Sequence, residues 1–177
     1  MTLHADALAV LRGWTAPDPG QEELRQRYVS HLERHPDGLA RSCRPDHVTA
    51  STVVLSADLT RTLLTLHPKA GRWFQVGGHC EADDATLVGA AQREAREETG
   101  LVGLRFDPVP VHLSAHEVPF CGGPGSHHLD VRFRAIAPPD AEPVISEESL
   151  DLRWWPVDDL PDPELEPMLR LATSSPR

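Results

Sequence analysis

Between residues 77 and 101 the chain carries two glycines, a polar loop, and a run that reads as a helix over 85–99, stopped by Gly100. A glycine just past the last turn takes the left-handed conformation that ends helices at no steric cost. Strand-like runs lie on both sides of this helix: 48–56 and 61–67 before it, and 110–118, 129–137 and 150–155 after it. An amphipathic helix set among strands must bury its apolar stripe, here Val88, Ala91 and Ala95, against a sheet. The expected fold class is α/β, a sandwich built on a mixed sheet. Residues 57–60 join the first two strands as a hairpin, 68–71 form a turn before a short run at 73–76, and a last helix covers 163–171.

The first 46 residues follow a different period. Apolar residues recur at three- and four-residue steps over 6–14 and 21–35, with the turn-forming stretch 15–20 between them. This predicts an N-terminal helical extension, residues 1–46, ahead of a catalytic-type domain at 47–172 and a polar tail at 173–177. Nothing in the extension has catalytic spacing. Packing against the domain or homodimerisation are its expected uses.

With 177 residues the chain can bury a core without disulfide or metal staples. Its net charge of −10 argues against nonspecific binding to nucleic acid or an anionic membrane. No apolar run reaches the ~20 residues needed to span a bilayer. The three cysteines, Cys43, Cys80 and Cys121, are scattered and form no CxxC pair. The first residues lack a basic, signal-like start, so the expected location is cytoplasmic.

The chemistry is concentrated in the central helix. Glu94, Glu97 and Glu98 share one face at three- and four-residue offsets. Like charges so spaced repel by a few tenths of a kcal/mol per pair. Such a row is ordinarily a solvated surface, stabilised by pairs such as Arg93 with Glu97. It also suits a hard divalent cation, Mg²⁺ or Mn²⁺, which would neutralise it. The Gly-Gly turn before the row and the Thr-Gly stop after it favour the second use.

These residues resemble a known family. Gly78 followed by Arg93-Glu94-Ala95-Arg96-Glu97-Glu98-Thr99-Gly100-Leu101 is similar to the Nudix box, G-x5-E-x7-R-E-U-x-E-E-x-G-U, where U is aliphatic. The second half matches at every fixed position. In the first half Asp84 stands in place of Glu, and one extra residue separates it from Arg93. The run from Arg72 to Gly78 resembles the family's strand before the box, with Val76 where Pro is usual, and residues 147–161 resemble its late loop and final strand. The resemblance implies an α/β/α sandwich with a mixed sheet, and an enzyme that hydrolyses a nucleoside diphosphate linked to another moiety, or a nucleoside triphosphate. It further implies Mg²⁺ or Mn²⁺ held by Glu94, Glu97, Glu98 and the Gly78 carbonyl, with Arg93 orienting the carboxylates. The general base is Glu97 or a loop carboxylate, Glu147 or Glu148. Trp73, His79, His127 and His128 are the candidate contacts to a small nucleotide-like substrate.

Two other functions fit parts of the same sequence. A nucleotide-binding or regulatory protein of this fold, without turnover, would account for the altered first half of the box. A zinc protein would use His112, His116, Cys121, His127 and His128, which fall within 17 positions of strand and glycine-rich loop, although HExxH is absent.

Overall fold

The computed structural model describes residues 1–147 and 149–174. Seven strands form one mixed sheet: β1 (His47–Leu55), β2 (Arg61–His67), β3 (Arg72–Phe74), β4 (Val76–His79), β5 (Arg105–Glu117), β6 (His127–Ile136) and β7 (Asp151–Pro156). β1 runs through the middle, buried at every residue. On one edge it pairs in parallel with β6 along its whole length, and β5 pairs antiparallel beyond β6. Its other edge is shared. β4 pairs with Thr49–Thr52, and β2 takes over at Val54 and Leu55 before pairing on with β3 and β7. The sheet therefore forks along that edge.

Helices cover both faces. Alternation along β1 and β6 sends Val48, Ala50, Leu129, Val131 and Phe133 to one side, where they pack with α3 (Leu87–Thr99), α1 (Leu3–Gly13) and α2 (Pro19–Arg34). Val53 and Leu55 point to the opposite side, under α5 (Glu166–Thr173) and its Met168, Leu169 and Ala172. Each fully buried aliphatic side chain in these layers contributes about 1.5–3 kcal/mol.

α3 begins at Leu87 rather than at 85 because Thr86 caps it, its hydroxyl accepting from the Gly89 N–H at 3.0 Å. It ends where Gly100, at φ 65°, returns its N–H to the Arg96 carbonyl. α1 and α2 also start earlier than their apolar spacing suggests, because Thr2 and Asp18 supply side-chain caps ahead of the periodic residues. β5 starts at Arg105, five residues before the predicted strand, since pairing with β6 resumes beyond irregularities near Pro110. The final helix opens with a single 3-10 turn, Pro163–Leu165.

The N-terminal helices share the sheet's core. Ala7, Leu11, Tyr28 and Leu32 are fully buried in the same cluster as Leu113 and Leu129. Gln21 clamps β5 from both sides, its amide donating to the Leu113 carbonyl at 3.0 Å and accepting from the Leu113 N–H at 2.7 Å. Asp6 accepts a 2.7 Å bond from the Leu87 N–H, one of the donors that α3 leaves without an intrahelical partner. No helix among the described residues is long and apolar enough to cross a membrane.

Candidate active site

A cleft of about 820 Å³ opens at the fork in the sheet. β1 lines it with Thr49 and Ser51, β2 with Thr65 and His67, β3 with Phe74, β4 with Gly77, Gly78 and His79, and α3 with Arg93, Glu94, Glu97 and Glu98. Its size suits a small-molecule ligand.

The α3 wall is organised by Arg93. Its guanidinium donates to both carboxylate oxygens of Asp84 at 3.1 and 3.0 Å, to Glu94 and Glu97 at 2.9 Å each, and to the His79 carbonyl at 2.9 Å. The bond to Asp84, followed by those to Glu94 and Glu97, raises the Arg93 pKa against the opposing effect of burial. The Asp84 side chain is itself only 7% exposed. Burial raises its carboxyl, but the Arg93 hydrogen bond and the Glu81 N–H outweigh that and leave it below its ordinary value. The extra residue in the first half of the box is absorbed in a turn. Asp84 donates its N–H to the Glu81 carbonyl and accepts from the Glu81 N–H, which returns the shortened acid to Arg93.

Glu94 presses against β4. A Cβ on residue 78 would lie 2.8 Å from Glu94 Oε2, so glycine leaves room for a carboxylate against the strand backbone. Glu98 lines the same wall, partly buried like Glu94, whereas Glu97 is exposed, with 56% of its side chain open against 13% for Glu94. Carboxylates beside a strand carbonyl form an all-oxygen donor set, and this fits Mg²⁺ or Mn²⁺.

Other candidates are distributed unevenly. Glu147 lines the cleft with Ser149, whereas Glu148 lies outside the described residues. His79 and His128 lie in the cleft. His127 does not: its ring and backbone N–H both engage the Asp46 carboxylate at 3.1 Å, outside the cleft lining. Trp73 is also turned away. Adjacent strand residues point to opposite sides, so Phe74 enters the cleft while Trp73 packs edge-on against Trp155 at 5.2 Å, beside the α5 layer. With Phe74, the residues His67, His116 and Phe120 give the cleft an aromatic wall, His67 lying 5.4 Å from Phe120 and Phe74 6.4 Å from His116 between ring centres.

The floor carries a residue that motif reading passed over. Asp130, 2% exposed, accepts from Thr49, Ser51, Gln75 and Arg132 at 2.7–3.0 Å. Burial raises its carboxyl, but Arg132 and His116, with hydrogen bonds from Arg132 and Ser51, leave it below the ordinary range. Its signal in the sequence is the alternation Asp130, Arg132, Arg134 within an otherwise apolar strand.

The His/Cys cluster of the alternative zinc reading does not come together as its spacing suggests. His112 is directed at Arg132, with burial foremost among the causes that lower its pKa to about 4, and His127 is held by Asp46. His128 and Cys121 instead meet His47 and His79, which come from β1 and β4. The glycine-rich stretch is closed rather than loose. It contains a short helical turn, α4 (Pro119–Gly122), and Val118 donates its N–H to the Ser126 carbonyl at 2.8 Å.

The NUDIX domain family model matches residues 45–173. The chain belongs to the Nudix family. Among solved structures, a Nudix-family hydrolase from Clostridium perfringens is 27% identical, with 72% of this chain and 93% of that one covered and a TM-score of 0.55. The Caenorhabditis elegans Ap4A hydrolase, in a binary complex, shares the fold at 17% identity, 70% and 93% coverage and a TM-score of 0.59. So does the NUDIX domain of Shewanella oneidensis NrtR complexed with ADP ribose, at 17% identity, 75% and 90% coverage and a TM-score of 0.56. Among curated protein sequences nothing matches this chain. The mixed sheet between helical layers is thus the Nudix fold, with α1 and α2 added before it.

Proposed function

We propose that this Nudix protein hydrolyses a phosphoanhydride in a nucleoside diphosphate joined to a second moiety, with a nucleoside triphosphate as the simpler variant. The observation that carries the reading is the wall of Glu94, Glu97 and Glu98 beside Gly78 in a cleft of nucleotide size, with Glu94 and Glu97 held by Arg93 and Arg93 in turn by Asp84. Glu94, Glu98, Glu97 and the Gly78 carbonyl would hold Mg²⁺ or Mn²⁺, which when bound neutralises diphosphate oxygens and lowers the pKa of water.

The protein's own groups do the rest. Arg93, pinned by Asp84, keeps the carboxylates aimed into the cleft. Glu97, or Glu147 from the facing loop, accepts the proton of the attacking water at a carboxylate oxygen. Water oxygen then joins phosphorus as the bridging P–O bond breaks, releasing a nucleoside phosphate and a second phosphorylated product. Phe74 and Phe120 offer faces for a base, and Arg41 and Lys69 supply positive charge at the cleft for the anionic substrate. ADP ribose, complexed with the Shewanella oneidensis domain, is a ligand of this chemical class.

The test is a phosphate-release screen of nucleoside diphosphate derivatives and triphosphates with Mg²⁺, Mn²⁺ or EDTA, run beside Glu98→Gln. Metal-dependent cleavage lost in the variant supports the hydrolase. Tight nucleotide binding with no cleavage under any metal favours a non-catalytic regulator of the same fold.

A further inference from the structure

We propose that His47, His79, Cys121 and His128 form a transition-metal site, distinct from the carboxylate wall and suited to Zn²⁺, that fastens the β5–β6 connection to the sheet beside the cleft.

The three histidines are brought together by strand register. His47 and His128 are direct partners in the parallel β1–β6 pair, and His79 pairs with Thr49 at the end of β4. Their rings lie 4.8–5.1 Å apart between centres, each touching the other two. α4 then lowers Cys121 onto the group, placing its Sγ 3.4 Å from His79 Nε2 and 3.9 Å from His47 Nε2. One donor atom from each of the four residues lies within 4.8 Å of all the others. A tetrahedral zinc ion with bonds of about 2.1 Å to nitrogen and 2.3 Å to sulfur needs donor-to-donor edges of roughly 3.3–3.6 Å. The 3.4 Å sulfur–nitrogen separation falls in that range and the 3.9 Å one lies just above it, so modest side-chain rotation closes the rest.

The donor chemistry separates this site from the one on α3. Imidazole and thiolate prefer zinc and its neighbours, whereas carboxylate and carbonyl oxygen prefer magnesium and manganese. Three His and one Cys fill four positions, as in closed structural zinc sites. His128 Nε2 is buried with no hydrogen-bond partner among the described residues, and a metal bond would satisfy it. Cys121 has no disulfide. On binding, its thiol gives one proton to solvent and its sulfur lone pair to the ion, with no change of oxidation state. Phe120, next to Cys121, then has its backbone fixed, so the ion also sets one side of the aromatic wall.

The test uses the full chain, purified without an affinity tag. Elemental analysis should find one zinc per chain, retained through dialysis against Mg²⁺. Replacement by Co²⁺ should give the strong visible bands of tetrahedral cobalt and a near-ultraviolet thiolate-to-metal band. Cys121→Ser should remove the thiolate band and weaken zinc binding by about 100-fold in competition with a chromophoric chelator. If that variant fails to fold, the wild-type cobalt spectrum decides alone. A cobalt complex without a thiolate band, failure to bind stoichiometric zinc, or a thiolate band lost in Cys43→Ser but kept in Cys121→Ser overturns the proposal. These readouts do not involve turnover, so they stand or fall apart from the hydrolase reading.

Discussion

The cleft has two walls of opposite construction. On α3, three carboxylates and one arginine come from a single stretch of six residues, and their spacing along one helix puts them side by side. Beside it, His47, His79, Cys121 and His128 come from four separate elements, the three histidines brought together by strand register and Cys121 by α4. The first group offers hard oxygen and the second borderline nitrogen and sulfur, donor sets that suit different ions. A helix writes its site into local sequence, while a sheet writes it into long-range pairing.

That contrast predicts where variants act. Glu98→Gln should have the largest effect, lowering kcat/KM by at least about 100-fold through weakened metal binding. Its melting temperature and its zinc content should be unchanged, as measured by calorimetry and elemental analysis. Loss of zinc in this variant would merge the two walls into one site. Next, Phe74→Ala should raise KM about 10-fold with a smaller change in kcat, if stacking supplies about 1–3 kcal/mol. Trp73→Ala should leave KM near its original value but destabilise the fold by about 2 kcal/mol in urea titration. Equal KM effects from these neighbours would mean that the cleft does not discriminate the two sides of β3.

Asp84→Asn tests how the carboxylate wall is held. The folded Asp84 pKa lies below its ordinary 3.8, so its contribution to stability is complete above that value and is lost as pH falls through the folded pKa. The wild type should therefore lose more stability than Asp84→Asn between pH 6 and pH 2, read from urea midpoints, and kcat in the variant should fall about 10-fold at neutral pH. The smallest expected change is Asp6→Ala, about 1 kcal/mol of stability from the lost cap on α3.

The sequence made the order of strands around one strong helix legible, because period-two and period-3.6 patterns alternate clearly from residue 47 onward. Element ends were less legible where capping side chains such as Thr2, Asp18 and Thr86 precede the apolar residues. The carboxylate row could be read directly from helical spacing, and Asp84 could be suspected, although its return to Arg93 depends on the Glu81 turn. Trp73 and Phe74 were indistinguishable by residue type, since both are large aromatics and only strand facing separates them. The histidine groups differ for a related reason. Closeness along the chain groups His112, His116, Cys121, His127 and His128, while strand register brings His47 and His79 to Cys121 and His128 instead.

The Gln21 clamp and the Asp6 cap carry a consequence for synthesis on the ribosome. The first two helices emerge with Leu11, Tyr28 and Leu32 bare, yet the core residues that cover them include Leu113 and Leu129, about a hundred positions later. At about 5–20 residues per second, the nascent chain exposes that apolar face for roughly 5–20 seconds before its covering strands are made. Slowing elongation in the middle of the message should therefore lower the soluble yield, and a holdase that shields the helical pair during the wait should restore it.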